Sequence, residues 1–415
     1  MKMLQKSRGL IWFPLGLAAA LVSFLSALLA LTLKHMTEHY ESVFLSKSLD
    51  YKVLFLILPF IGLSVIFFLR KYLFKNKQNK GIREVFDSVE SGKPLPIYKI
   101  PSHFINGLLT VSFGGSTGIE VSTVVSTAAI GSLASTKESI LRRYKKELLC
   151  AGTAAGITAL FFSPIAGFLF VYEVIYKKFS TVFLFTVGIA VVLATAFSLL
   201  LHEGALFEVP IQPWHYHALP YFILLGIVAG LNSVYLTKCV LFFKDRFSRI
   251  KVPFHKVIIG SIVIGGALFF FPQLFGDGYA ALEHQILISK SAPGLPLLFT
   301  LIAIMLLKPI ITSITLSSGG DGGVFAPGIF IGAILGLVVS YIANVYFDAN
   351  LVVLNFMAVG MAAVLSASIN APFTALFLVC GLIGDYTLLV PLCIGSFVSR
   401  YTAQRIFPFT VYSYR

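Results

Sequence analysis

The stretch Gly152–Pro164, GTAAGITALFFSP, returns without a gap as Gly360–Pro372, GMAAVLSASINAP, 208 residues downstream. Glycine, the alanine pair, a further alanine and the proline recur in step, and each copy runs on into an apolar tail. The same spacing sets Gly115 of GSTGI opposite Gly323 of GVFAP. Half of 415 residues is about 208, so the chain reads as two similar halves. In an apolar chain, paired halves with Gly/Pro-interrupted segments at matching positions point to a substrate site between them, near the bilayer midplane. The expectation is a transporter or a channel.

Composition agrees with that expectation. The chain is 57% hydrophobic and 12% charged, with a mean hydropathy of +0.89, far outside the soluble range. Leu10–Leu33, Val53–Leu69, Phe179–Leu201 and Leu219–Phe243 are near or above the ~18–20 residues that span a bilayer as a helix. Leu10–Leu33 is too long for a signal-peptide core and lacks a small-residue cleavage site, so it counts as a span. Shorter pieces broken at Ser163-Pro164, Ala326-Pro327 and Ala371-Pro372 must be buried in protein or line a wet cavity. The fold class predicted is all-α and polytopic. One membrane domain covers 1–415, with a first repeat over about 10–200 and a second over about 215–410.

A net charge of +14 does not imply nucleic acid here, because the cations sit in loops between spans. Lys2, Lys6 and Arg8 precede the first span; Arg70, Lys71, Lys75, Lys77, Lys80 and Arg83 follow the second; Arg142, Arg143, Lys145, Lys146, Lys177 and Lys178 come later. The connection from Glu203 through Glu208 to His217 has no Lys or Arg. The positive-inside rule then puts the amino terminus and the basic loops in the cytoplasm and that connection outside. Cys150, Cys239, Cys380 and Cys393 lie in or beside apolar segments without metal-like spacing and read as small buried hydrophobes. No cofactor or metal is expected. The lack of a targeting segment is compatible with a prokaryotic inner membrane.

An ion crossing lipid needs compensating dipoles midway. A cation path usually shows intramembrane carboxylates, and here Asp and Glu are scarce inside the spans. Glycine-rich turns are plentiful: Gly114–Gly118 leads into Val121–Leu133, and Gly319–Gly323 into Val324–Val339. Such turns leave backbone N–H groups unpaired at a helix start, where the macrodipole adds positive potential. Two such starts from opposed repeats would converge and favour an anion. The alternative is that these glycines only allow tight turns and close helix packing.

Gly323-Val324-Phe325-Ala326-Pro327, preceded by Ser317-Ser318-Gly319, resembles the GxFxP motif of the CLC chloride channel and transporter family. Gly152–Glu173 resembles that family's helix pair in the first half, and Ala363–Val379 its equivalent in the second. Phe67–Tyr72 (FFLRKY), Phe275–Tyr279 (FGDGY) and Tyr412-Ser413 fall in the same order. The resemblance implies an inverted-repeat fold with broken and re-entrant helices, passage of chloride or a similar monovalent anion, and a homodimer with one pore per subunit. It also implies an anion site of Ser116, Thr117, Gly118, Val324, Phe325 and Tyr412. The chain stops before the cytoplasmic CBS domains that some relatives carry.

Departures from the family pattern bear on mechanism. The family's GREGP motif corresponds to Gly115-Ser116-Thr117-Gly118-Ile119, so the gating glutamate is Thr117 here. The internal proton glutamate follows Glu173 in FVYEV and is Val174. Neither substitute carries a proton. The motif GSGIP, whose serine contacts the ion, maps on Asn79–Arg83 with a one-residue gap and sets Lys80 at the serine position. Lys80 is then either a pore cation or one more loop cation. Glu120, one helical turn after Thr117, is either a relocated gate or a first-turn acid balancing the helix dipole; the latter is favoured. Glu173 reads as an ion-pair partner of Lys177 and Lys178.

Loss of both acids favours a passive chloride channel or uncoupled transporter over a CLC-type anion/proton antiporter gated by Glu120. A distant alternative is an intramembrane serine hydrolase, since GGSTG fits the letters G-x-S-x-G with Ser116 as nucleophile. That chemistry needs a base in reach, and the eight histidines fall in or beside polar connections. No enzyme is expected.

Overall fold

The computed structural model describes residues 11–77, 79–137, 141–207, 211–288 and 295–414. Lys2, Lys6, Arg8 and Glu208, which entered the topology argument, lie outside them. The described residues form eight helices in the first half: α1 (Trp12–Asp50), α2 (Leu54–Phe68), α3 (Arg83–Ser91), α4 (Lys99–Ser112), α5 (Glu120–Lys137), α6 (Lys145–Phe161), α7 (Pro164–Phe170) and α8 (Thr181–Leu200). Eight more follow: α9 (Leu219–Ser248), α10 (Pro253–Phe270), α11 (Tyr279–Ile288), α12 (Leu295–Ser317), α13 (Phe325–Phe347), α14 (Val353–Ile369), α15 (Pro372–Ile383) and α16 (Leu389–Ile406). Among the described residues seven helical stretches are long and apolar enough to cross a membrane, among them α1, α8, α10 and α13. At a rise of ~1.5 Å per residue α1 is about 58 Å long, nearly twice the ~30 Å hydrocarbon core. Its last turns, with Lys34, His35, Glu38 and Glu41, therefore pass beyond the midplane toward one surface.

The repeat quoted above is the same break made twice. Helix α6 ends at Phe162 (φ 49°), and Ser163 is extended before Pro164 opens α7. Helix α14 ends at Asn370 (φ 57°), and Ala371 is extended before Pro372 opens α15. Proline lacks an N–H, which the first helical turn does not need, and it forces the residue before it out of the helical region. Both breaks close with the same bond, Ser163 N–H to Thr158 O and Ala371 N–H to Ser366 O, each 3.2 Å. The 208-residue spacing continues to the starts of α8 and α16.

At the glycine turns the spacing is different. Gly114 (φ +86°) matches Gly319 (φ +110°). Gly115 N–H bonds to Thr110 O at 2.8 Å, and Gly320 N–H to Thr315 O at 3.0 Å. The partner of Gly115 is therefore Gly320, not Gly323, and the local offset is 205. The three residues are made up before α14, because α13 is longer than α5.

Helix pairs α5–α6 and α13–α14 form the core around the turns. A Cβ on Gly131 would enter the Leu148 carbonyl, and one on Gly332 would enter that of Gly360. Small residues at such crossings let backbones approach in lipid, where packing replaces the hydrophobic effect as the drive for association. In α13, 83% of the most apolar window is buried, against 33–50% for the spans at the periphery. It is the central helix.

Candidate functional site

The two glycine turns meet at the centre of the molecule. Gly118 N–H bonds to Gly323 O at 3.4 Å and Gly323 N–H to Gly118 O at 3.1 Å. Around this pair the threonines cross over: Ser116 N–H bonds to Thr315 Oγ1 at 3.2 Å, and Asp321 N–H to Thr110 Oγ1 at 2.9 Å. Each half supplies a hydroxyl that completes the other half's turn. The amides of Ser116, Gly118, Asp321 and Gly323 are thus satisfied, contrary to the expectation of open turns. Those without a backbone acceptor among the described residues lie one step on at both helix starts, from Ile119 and Glu120 opening α5 and from Val324, Phe325 and Ala326 opening α13. The positive end of the helix dipole adds to them.

Two side chains approach these amides from opposite faces. The Ala326 amide faces the Glu120 carboxylate, and the Val324 amide faces the Tyr412 hydroxyl. Neither contact closes a hydrogen bond, so Glu120 Oε2 and Tyr412 Oη are both buried without a partner. Glu120 Oε1 accepts the Tyr279 hydroxyl at 3.2 Å. The carboxylate fills the space that a Cβ on Gly118 would take. Phe325 lies between the faces, its ring 6.4 Å from that of Tyr412 and 5.7 Å from that of Phe170.

The structure brings Thr117, Gly118, Glu120, Val324, Phe325 and Tyr412 together, but gives them different tasks. Thr117 turns its hydroxyl back, donating to Gly323 O at 2.8 Å, so it braces the turn pair. Ser116 Oγ lies 3.5 Å from Thr312 Oγ1 and has no histidine partner. His103 is not in a polar connection as expected: it is fully buried within α4, with Nδ1 3.0 Å from Asp321 Oδ2. Its other nitrogen has no partner among the described residues, and no base among them serves Ser116.

The Tyr412 face opens into two wide cavities. One, of about 520 Å³, is lined by Lys80, Arg83, Lys244, Asp321 and Tyr412. The other, of about 800 Å³, shares Lys80, Arg83 and Tyr412 and adds Glu173, Val174 and Lys177. Lys80 is exposed there; its backbone N–H is held by Glu84 at 2.5 Å, and its ammonium is on the cavity wall. Arg83 donates to the Tyr414 carbonyl, tying down the terminal segment that carries Tyr412. Glu173 makes no ion pair with Lys177 or Lys178 among the described residues. Its carboxylate instead accepts from Thr374 N–H at 2.7 Å and Thr374 Oγ1 at 2.6 Å, capping α15 across the two halves. Beneath the second turn, Asp321 accepts from Asn79 at 2.5 Å, and Arg70 donates to Gly319 O at 3.0 Å.

The Glu120 face is narrow. Its cavity measures about 20 Å³ and is lined by Lys34, Glu38, Glu120, Asp277 and Tyr279 among others. Behind it lies a charged cluster absent from the sequence reading. Asp277 N–H bonds to Glu41 Oε1 at 3.2 Å, and Asp277 Oδ1 accepts Tyr279 N–H at 2.8 Å. Fully buried Lys308 donates to Gly276 O at 3.1 Å and Leu274 O at 3.3 Å, with Phe330 at 4.9 Å. Lys308 is the sole charge in α12. An intramembrane ionisable residue is a functional signal by default, and Lys308 carries that signal within an otherwise uncharged span. Above the cavity, Glu203 bonds Lys34 at 2.6 Å and His35 at 2.5 Å.

Two inverted halves, broken helices and helix-start amides converging between two vestibules define a polytopic membrane protein built to pass anions. The family model described as voltage gated chloride channel matches residues 61–404, and the chain belongs to that family, the CLC channels and transporters. Its function class is transmembrane anion transport, not enzymatic catalysis. Solved structures share the fold. The chain is similar to a CLC-type fluoride/proton antiporter (23% identity, 96% of each chain covered, TM-score 0.81). It is also similar to a slow cyanobacterial Cl−/H+ antiporter (20%, 96% of each, TM-score 0.83). A eukaryotic CLC transporter matches at 16% identity over 97% of this chain and 74% of that one, with a TM-score of 0.79.

Proposed function

We propose that this protein passes chloride or a similar monovalent anion through a pathway gated by Glu120, not by Thr117. The carrying observation is the seat of the Glu120 carboxylate: buried, against Gly118 and facing the Ala326 amide. A carboxylate there competes with a permeant anion for the same positive potential. Protonation removes its charge and its reason to stay, so flux rises as pH falls. Thr117 is no gate, being bonded into the turn pair. The basic loop residues Lys80, Arg83 and Lys177 line the Tyr412 face, which supports a cytoplasmic Tyr412 side and an external Glu120 side. The anion site proper is then Val324, Phe325 and the Tyr412 hydroxyl, with Gly118 giving room and Lys80 drawing anions into the inner vestibule.

Val174 at the inner cavity offers no proton acceptor, which favours uncoupled passage. Proton-coupled exchange is the second reading: the gate itself takes a proton, and two of the similar structures are of anion/proton antiporters. One assay separates them. In proteoliposomes, wild-type protein is expected to pass chloride faster at acidic than at neutral pH without moving protons uphill. Glu120→Gln is expected to pass it fast at both. Uphill proton movement driven by a chloride gradient, abolished in Glu120→Gln, establishes the exchanger instead. Flux and pH response unchanged in Glu120→Gln would remove Glu120 from the gate altogether.

A further inference from the structure

We propose that Asp277 is the proton donor that loads Glu120 from the external side, with Glu38 as the port to solution. The inference rests on the Glu120 gate and adds a second carboxylate to it. Asp277 and Glu120 line one cavity of about 20 Å³, room for a single water, which needs roughly 10–15 Å³. Glu120 lines that cavity together with Asp277, and its Oε2 is buried with no partner among the described residues, so an acceptor is free beside the place where a proton would arrive. Tyr279 fixes both acids at once, giving its N–H to Asp277 at 2.8 Å and its hydroxyl to Glu120 at 3.2 Å. Glu38 lines the same cavity and is exposed.

The transfer balances as a simple relay. The Asp277 carboxyl gives its proton to the cavity water as that water gives one to Glu120 Oε2. Asp277 is left as the carboxylate and takes its next proton from solution by way of Glu38. The groups facing it are Glu38, Glu41 and Lys34 from α1, Lys308 from α12, Glu283 from α11, and Tyr279. Glu41 does not line the cavity and holds the Asp277 backbone, so it positions. Lys308 is pinned by two carbonyls and a ring. Its amine sits next to Asp277 and Glu41, and a positive charge there lets acids gather without all repelling one another. Tyr279 is likewise a positioning residue, since its hydroxyl reaches Glu120 and its amide reaches Asp277.

The test uses full-length protein in chloride-loaded liposomes, with internal pH fixed and external pH stepped down. Wild-type flux is expected to rise quickly. Asp277→Asn keeps the oxygen that accepts Tyr279 N–H and is expected to slow the response to external acid about tenfold, while leaving the response to internal acid unchanged. Asp277→Glu is expected to restore it. In a Glu120→Gln background, where no proton is needed, adding Asp277→Asn is expected to change nothing. An Asp277→Asn protein with a wild-type external response overturns the proposal, as does one whose flux falls equally with and without Glu120→Gln, which is the mark of a structural role. Should Asp277→Asn not fold, exposed Glu38→Gln decides: a response slowed about threefold supports the relay, and an unchanged one overturns it. A Glu120→Gln protein indistinguishable from wild type breaks the gate reading instead, and is recognised before any Asp277 variant is made.

Discussion

The two faces of the junction between the glycine turns are built on different plans. On the Glu120 face, Glu38, Glu120 and Asp277 with Lys34 line a cavity of about 20 Å³; on the Tyr412 face, Lys80, Arg83 and Lys244 with Asp321 line one of about 520 Å³, and the adjoining cavity of about 800 Å³ carries Lys80, Arg83 and Lys177 beside Asp87, Glu90 and Glu173. A wide vestibule whose cationic excess lies in the cavity beside the glycine turns concentrates anions there and lets them arrive hydrated. A narrow acidic one repels them and holds protons. The backbone between is near-symmetric, down to the crossed threonines, so the asymmetry of transport resides in the side chains added at either end.

The comparison is most easily broken at Gly118. A methyl group there would occupy the seat of the Glu120 carboxylate, whose flexible side chain can swing away while the backbone stays. Gly118→Ala is expected to open the narrow face without touching an ionisable residue. Losing contacts to a charged group is worth about 1.5–3 kcal/mol, a factor on the order of ten to a hundred in flux at neutral pH. The flux should also lose its dependence on external pH. A Gly118→Ala protein that stays closed and acid-activated would put the gate elsewhere.

A smaller effect is expected at Tyr412, on the wide face. Its hydroxyl is buried without a protein partner, so Tyr412→Phe costs the fold little, and thermal unfolding should barely shift. What is lost is one hydrogen bond to the anion, about 1 kcal/mol. Chloride binding measured by calorimetry should weaken about fivefold. Equal binding in both proteins would mean that the hydroxyl points past the ion.

The smallest effect is expected at Lys80. Its exposed ammonium acts through the vestibule potential, so Lys80→Gln should lower internal chloride flux about twofold at low salt and not at all near 1 M, where screening reaches ~3 Å. A loss that persists at high salt would mean direct contact with the ion.

Much of the fold was legible because its cues are local. Each half carries a Pro after an extended residue, and the helix breaks at Phe162 and Asn370 follow from those prolines. The glycine turns were legible as turns, yet their register was not. Three residues inserted within a continuous helix leave no mark, so Gly115 was matched with Gly323 instead of Gly320. Side-chain direction was the harder part. Nothing in Thr117-Gly118-Ile119-Glu120 says that the threonine folds back on Gly323 while the glutamate reaches over Gly118, because both depend on the other half being 3 Å away. Glu173 looked toward nearby lysines, but the amides of α15 lie 200 residues on. The charged cluster behind Glu120 is assembled from α1, α12 and the segment before α11, and sequence distance hid it. Lys308 alone gave a signal.

The crossed threonines tie assembly to the order of synthesis. The Ser116 amide waits for a hydroxyl 199 residues further along, so the first turn leaves the ribosome, and its helices enter the lipid, before the group that completes it exists. Until Thr315 is inserted, that turn must keep water beside it or stay near the surface. The junction of the two turns is therefore among the last parts of the molecule to be sealed, and a half-made chain holds only one side of it.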